Sequence, residues 1–278
     1  MEARPRRPAA SDERPIGVFD SGVGGLSVLR EIRRQLPAEN SIYLADTANC
    51  PYGSKSKAEL QALALRNAEF LLEQGAKLVV VACNTASVAA LPALRATFAV
   101  PFVGLVPAVK PAALATRTRR VAVLATPATF QGEMFADLVR DFAADVEVIQ
   151  QVCPGLVELV ERGVTDGPEA RALLERYLQP ALDASVDAIV LGCTHYPFLR
   201  PVIEEIAGPR VRVLDSGEAV ARQVCRVLDR QGIRRRPEAG RGQTTFYSSS
   251  PDVGRLRPVF EKLTGEPEPR ILFASQAR

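Results

Sequence analysis

The sequence predicts an α/β protein: two pseudo-equivalent α/β domains with largely parallel sheets and the active site in the cleft between them. Three observations predict it. Short apolar runs alternate with stretches of helical spacing along the chain, the rhythm of β-α-β units. Several of these runs open at their C-terminal ends into polar residues, and ligands of parallel sheets bind beyond such ends. Two of the tips follow one pattern, an apolar strand ending in a cysteine and small polar groups. They are Val79-Val80-Val81-Ala82-Cys83-Asn84-Thr85 and Ile189-Val190-Leu191-Gly192-Cys193-Thr194-His195. This matching pair favours two similar halves, with two thiols facing one centre, over a single open sheet of nine strands.

The elements follow in order. Residues 1–14, rich in Pro, Ala and Arg, read as a disordered basic extension. Ile16-Gly17-Val18-Phe19 is the first strand and runs into Asp20-Ser21-Gly22-Val23-Gly24-Gly25. Leu26, Leu29, Ile32 and Leu36 then keep helical spacing until Pro37 stops it. Ser41 to Ala45 is the second strand, followed by the loop through Cys50-Pro51-Tyr52-Gly53. Residues 57–74 form a long helix closed by Gly75. After the strand to Cys83 comes a helix that Pro92 enters or kinks. Strands at 100–106 and 120–125 follow, the second leading into Thr126-Pro127-Ala128-Thr129. A helix at 131–143, a strand at 145–149 and helices at 155–162 and 168–184 precede the strand to Cys193. Helix 199–207, strand 211–214, helix 217–231, an Arg/Gly loop, strand 243–247 and helix 252–264 complete the series.

Composition narrows the function. The 278 residues, 47% apolar and 24% charged, describe a soluble globular chain of one large or two ordinary domains. No apolar run reaches the roughly 18–20 residues a bilayer span needs, and the first residues lack the apolar core of a secretory signal, so the expected location is the cytoplasm. The net charge of +3 is local: residues 1–14 hold four arginines against three acids, and residues 230–241 hold five against one. The body between these flexible segments is slightly acidic and carries no nucleic-acid footprint. The five cysteines, at 50, 83, 153, 193 and 225, form no C-x-x-C pair, and a single histidine cannot complete a usual Cys/His zinc site. Neither a metal nor a disulfide framework is expected. None of the five lysines stands at a strand tip, which disfavours a pyridoxal Schiff base.

The motifs sharpen this reading. Asp20-Ser21-Gly22-Val23-Gly24-Gly25 invites a dinucleotide site, but Ser27 stands where the third glycine is needed, and Asp20 would face the pyrophosphate. The glycines suit instead a close approach of backbone amides to a small anionic group such as a carboxylate. Cys50, Cys153 and Cys225 read as small buried apolar residues. Cys83 and Cys193 differ, because each leaves its apolar run at a helix start or beside an ionisable group, the settings that tune a thiol. His195, the only histidine, lies two residues beyond Cys193. A Cys–His nucleophile is conceivable from that pair, but it leaves the second thiol unexplained.

Taken together, Asp20-Ser21-Gly22-Val23-Gly24-Gly25-Leu26-Ser27-Val28, Pro51-Tyr52-Gly53, Cys83-Asn84-Thr85-Ala86-Ser87 and Gly192-Cys193-Thr194-His195-Tyr196-Pro197-Phe198-Leu199 resemble glutamate racemase. The resemblance covers about residues 15–265; the related aspartate racemases share the two cysteines. It implies a cofactor-independent isomerase that interconverts L- and D-glutamate and supplies D-glutamate for peptidoglycan, with no metal and no nucleic acid or membrane as direct partner. It implies Cys83 and Cys193 as acid/base thiols, assisted by Asp20 and His195 respectively. Ser21, Tyr52, Gly53, Asn84, Thr85 and Thr194 would hold the substrate, with Thr126, Thr129 and Glu161 near them. One departure is Glu158, where many members carry proline before Leu159-Val160-Glu161. The resemblance also implies discontinuous domains, residues 15–104 with 215–278 and residues 105–214 between them, and it leaves a homodimer open. Two readings from other classes remain: a two-thiol redox or glutamate-binding module without turnover, and an accessory role, since some relatives bind DNA gyrase.

Overall fold

A computed structural model of the chain describes residues 11–275. The elements run β1 (Ile16–Asp20), α1 (Leu26–Gln35), β2 (Ser41–Ala45), α2 (Lys57–Glu73), β3 (Leu78–Val81), α3 (Asn84–Thr97) and β4 (Phe102–Gly104). Next come α4 (Val109–Ala115), β5 (Arg120–Ala125), α5 (Pro127–Phe130), α6 (Glu133–Phe142), β6 (Glu147–Val152), α7 (Leu156–Glu161), α8 (Pro168–Asp183) and β7 (Ala188–Leu191). The chain closes with α9 (Arg200–Ala207), β8 (Arg212–Leu214), α10 (Gly217–Gln231), β9 (Thr244–Ser248), α11 (Val253–Thr264) and β10 (Ile271–Phe273).

The strands form two sheets, β10-β9-β2-β1-β3-β4 and β6-β5-β7-β8, and every pairing is parallel. The α/β class is therefore as the alternation predicts. Strands covered by helices on both faces need apolar side chains at every position. Accordingly β1, β3 and β7 are buried throughout, and their sequences IGVFD, LVVV and AIVL carry no polar alternation before the tip. The edge strand β6 mixes polar and apolar residues, and its sequence EVIQQV is nowhere fully buried.

Local chemistry sets the helix ends that matter here. Ser56 and Glu59 close a reciprocal capping box at the start of α2, and Gly75 follows its end with φ +84°. Pro92 lies inside α3, which continues to Thr97, so it neither starts nor ends the helix. Ser87 ties that helix to its sheet: its hydroxyl donates to Val81 O at 3.0 Å and accepts from Leu105 N at 2.9 Å.

The structure departs from expectation in places. Ten strands are present among the described residues rather than nine: β10, three residues at the sheet edge, is too short to show periodicity. Helix α4 was not expected, and its proline falls in the first turn, where the missing N–H costs nothing. Of the extension expected to be disordered, residues 1–10 lie outside the described residues. Residues 11–14 are pinned instead. Lys77 Nζ donates to Asp12 O at 2.7 Å, Asn40 Nδ2 to Glu13 O at 2.9 Å, and Glu13 pairs with Arg235. Arg235 also donates from its backbone to Glu39 Oε1 at 2.7 Å, so the basic loop is anchored at this point rather than free. Among the described residues, no helix is long and apolar enough to cross a membrane.

Candidate active site

The tips of β3 and β7, from different sheets, meet at one small cavity of about 20 Å³. Ser21, Tyr52, Gly53, Cys83, Asn84, Thr85, Thr126, Cys193, Thr194 and His195 line it, all of them expected from the sequence. Pro51 and Val157 complete the wall. Both thiols are nearly closed off, Cys83 at 5% and Cys193 at 8% exposure. A far larger hollow, about 850 Å³, is lined by Arg117, Asp187 and Arg212 near the N-terminal ends of β5, β7 and β8. It contains none of the expected groups, and chemistry rather than size marks the site.

Asp20 ends β1 fully buried, close enough to Cys83 for each to shift the other's titration. Its Oδ2 accepts Gly25 N at 2.7 Å and the Thr194 hydroxyl at 3.3 Å; Ser21 Oγ lies 3.5 Å from Oδ1. Burial raises the Asp20 carboxyl above the ordinary carboxylate range, against the pull of His195. Burial also raises the Cys83 thiol well above its usual value, and the charge of Asp20 raises it further. The pair is therefore a protonated thiol with a basic carboxylate against it.

The other wall is assembled around His195. Its Nδ1 lies 3.6 Å from Cys193 Sγ, and its Nε2 lies 2.6 Å from Glu161 Oε1. Burial alone would lower the imidazole pKa. The hydrogen bonds to Cys193 and Glu161 outweigh burial, and the net direction is well above the ordinary value. Glu161 is brought in by the C-terminal end of the six-residue helix α7. Glu158, the departure from the family's pattern, is exposed in the first turn of α7, where proline and glutamate are both accommodated.

The glycines between β1 and α1 permit this meeting. A Cβ on Gly22 would stand 1.9 Å from Glu161 Oε1, and one on Gly24 would stand 2.4 Å from His195 Nδ1. The amides do approach a carboxylate, but it is the chain's own: Val23 N donates to Glu161 Oε1 at 2.7 Å. Gly25 N is likewise taken by Asp20.

On the far side three hydroxyls form a triangle, Thr85–Thr126 at 2.8 Å, Thr85–Thr129 at 3.2 Å and Thr126–Thr129 at 3.0 Å. Thr129 is fully buried behind the cavity wall, as are Asp20 and, in large part, Glu161. Gly53 lies against Thr126, which a Cβ on it would touch at 2.9 Å. The Tyr52 hydroxyl turns away from the cavity to Asp46 and receives Asn67 Nδ2 at 3.0 Å. Asn84 Oδ1 is buried with no hydrogen-bond partner.

Two residues were missed. Asp46, buried directly after β2, holds Tyr52, Asn49 and Ser249; it stands beyond an apolar run just as Asp20 ends one, and that was its signal. Cys50, read as inert, has its sulfur within 4.8 Å of ligand atoms of both Glu161 and His195. These three donors form a group that the sequence reading, which expected no metal, did not single out. Residues 50, 161 and 195 share no spacing that a sequence motif could reveal.

Comparison with known proteins agrees with this geometry. The profile of the family described as Asp/Glu/Hydantoin racemase matches residues 16–224. The glutamate racemase of Roseiflexus sp. (strain RS-1) is 55% identical over 251 residues, covering 90% of this chain and 92% of that protein. The crystal structure of glutamate racemase from Francisella tularensis in complex with D-glutamate superposes with a TM-score of 0.82 at 30% identity, covering 95% of this chain and 98% of that one. That of the Escherichia coli enzyme in complex with L-glutamate and the activator UDP-MurNAc-ala has a TM-score of 0.81 at 35% identity, covering 94% and 97%. Fold, site and comparisons make the chain an isomerase, an amino-acid racemase. It belongs to the Asp/Glu/Hydantoin racemase family.

Proposed function

We propose that the chain interconverts L- and D-glutamate by a two-thiol acid/base mechanism without a cofactor, and that it supplies D-glutamate to peptidoglycan synthesis in the cytoplasm. One observation carries the reading: two thiols from the tips of two sheets line the same cavity, each backed by its own ionisable group, Asp20 for Cys83 and His195 for Cys193. Racemisation removes the α-proton from one face of the carbon and returns one to the other. Two groups on opposite sides are needed, each a base in one direction and an acid in the other.

An ordinary thiol is only a few per cent ionised at neutral pH. Asp20 takes the Cys83 proton as that sulfur begins to attack, and the imidazolium of His195 holds a proton that can pass to Cys193. Each such group is typically worth about 10²- to 10⁴-fold in rate. Asn84, Ser21 and the Thr85 and Thr126 hydroxyls, which Thr129 steadies from behind the wall, hold the two carboxylates; the unpartnered Asn84 Oδ1 faces the substrate ammonium. Neutral donors for the side-chain carboxylate favour glutamate over the shorter aspartate. The strands support a division into residues 15–104 with 215–278 and residues 105–214 between them, because β9 and β10 rejoin the first sheet.

The test follows optical activity, with circular dichroism of L-glutamate decaying toward zero in chelator without added cofactor. Cys83→Ser and Cys193→Ser should each lose racemisation by orders of magnitude. With N-hydroxyglutamate, which needs only proton abstraction to eliminate, Cys193→Ser should process only the D form and Cys83→Ser only the L form. Elimination from the same hand by both variants would refute the mechanism. Glutamate binding with no decay would leave a binding module.

A further inference from the structure

We propose that Cys50, Glu161 and His195 form an inhibitory site for a soft divalent cation, Zn²⁺ by its ligand set. The three donors, one sulfur, one carboxylate oxygen and one ring nitrogen, come from the loop after β2, the end of α7 and the tip of β7, and lie within 4.8 Å of one another. Zinc takes sulfur at about 2.3 Å and nitrogen or oxygen at about 2.0–2.2 Å, so tetrahedral ligands stand roughly 3.3–3.7 Å apart. The longest separation, no more than 4.8 Å, must close by at most about 1 Å, and the 2.6 Å contact between His195 and Glu161 must open by somewhat less. Side-chain rotation supplies movements of this size. Three protein ligands leave a fourth position for solvent, the open form of a zinc shell. A thiolate beside an imidazole excludes the hard cations Mg²⁺ and Ca²⁺.

Cys50 has no part in the proposed chemistry. It does not line the cavity, and its thiol is held neutral by burial and by the charges of Glu161 and Asp20. Binding forms a Zn–S bond while the S–H proton leaves to buffer, with no change of oxidation state. His195 must bind through Nε2 as neutral imidazole, because its Nδ1 faces Cys193. The cation thereby takes both the proton His195 holds and its contact with Glu161, and the proton supply to Cys193 stops. That inhibition rests on the racemase reading; the binding of the cation does not.

The experiment uses the full chain, stripped with chelator and titrated with ZnCl₂. Racemisation should fall at micromolar Zn²⁺ and return with EDTA. Cys50→Ala should keep metal-free activity within about twofold and need at least tenfold more Zn²⁺ for half-inhibition. Equal sensitivity of variant and wild type would overturn the site, since the ion would then sit on Cys83 or Cys193. Zinc-edge X-ray absorption of the wild-type protein decides independently of any variant's folding. One sulfur and two nitrogen or oxygen protein ligands are expected; two sulfurs, none, or no bound zinc overturn the proposal. A chain that binds zinc in this shell yet never racemises glutamate would uphold the site and refute the functional reading.

Discussion

A single imidazole shows how much of this site rests on individual contacts. His195 is 1% exposed, and its bonds to Cys193 and Glu161 overcome a burial that disfavours its charge. Its folded pKa is raised, so the stabilisation it brings is full below the unfolded value of about 6.5 and is lost as pH climbs through the folded one. The melting temperature of the wild type should therefore fall from pH 6 to pH 8.5 more steeply than that of His195→Asn. Parallel slopes in a calorimetric pH series would contradict the shift. At this scale the sequence was partly legible. Cys83, Cys193 and His195 were visible because each follows an apolar run where a core residue has no reason to be polar. Glu161 was not visible by itself, since LVELVE reads as one turn and a half of amphipathic helix and its partner stands 34 residues away. Resemblance supplied what periodicity could not.

Between β1 and α1 the short glycine run acts as a spacer of fixed thickness. Glu161 and His195 come so close to it that a methyl at Gly22 or Gly24 would overlap them, at 1.9 and 2.4 Å. Gly22→Ala should displace the Glu161 carboxylate from Val23 N and His195 and lower kcat/KM at least tenfold. Gly24→Ala should push on the imidazole itself and weaken abstraction from L-glutamate more than from D-glutamate. Because the equilibrium constant of a racemisation is one, the comparison uses elimination from each enantiomer of N-hydroxyglutamate, and equal loss from both hands would argue against that assignment. Most elements were legible because strand-long apolar runs such as LVVV or AIVL, bounded by polar tips, suit a strand covered on both faces. The elements that were missed, α4, α5 and β10, are seven, four and three residues long. Such pieces are held by their neighbours and carry too few residues to show a period.

Taken as a whole, the molecule is closed over its chemistry. A cavity of about 20 Å³ has room for roughly one water, so glutamate enters only when the two sheets part. The Val23 amide, bonded across the gap to Glu161, should exchange with solvent through that partial opening, with little dependence on urea. Amides within β1 should need global unfolding, and added D-glutamate should slow Val23 alone among them. Equal urea dependence would mean the gap opens only when the protein unfolds. On the proposed division, the backbone passages at 105–108 and 215–216, which carry the chain out to β5 and back from β8, should set how the halves part. These passages are stitched together, Ser216 Oγ donating to Val106 O at 2.5 Å. Two joined threads make an axle, and about an axle displacement grows in proportion to distance. Leu105 and Ser216 share a lining with Cys193, which puts that thiol near the pivot, while Gly53 against Thr126 and Val88 against Gly132 are contacts outside that lining. The outer contacts should separate first and furthest, and Cys193 should keep its place while the door swings, so that substrate arrives on a wall already set.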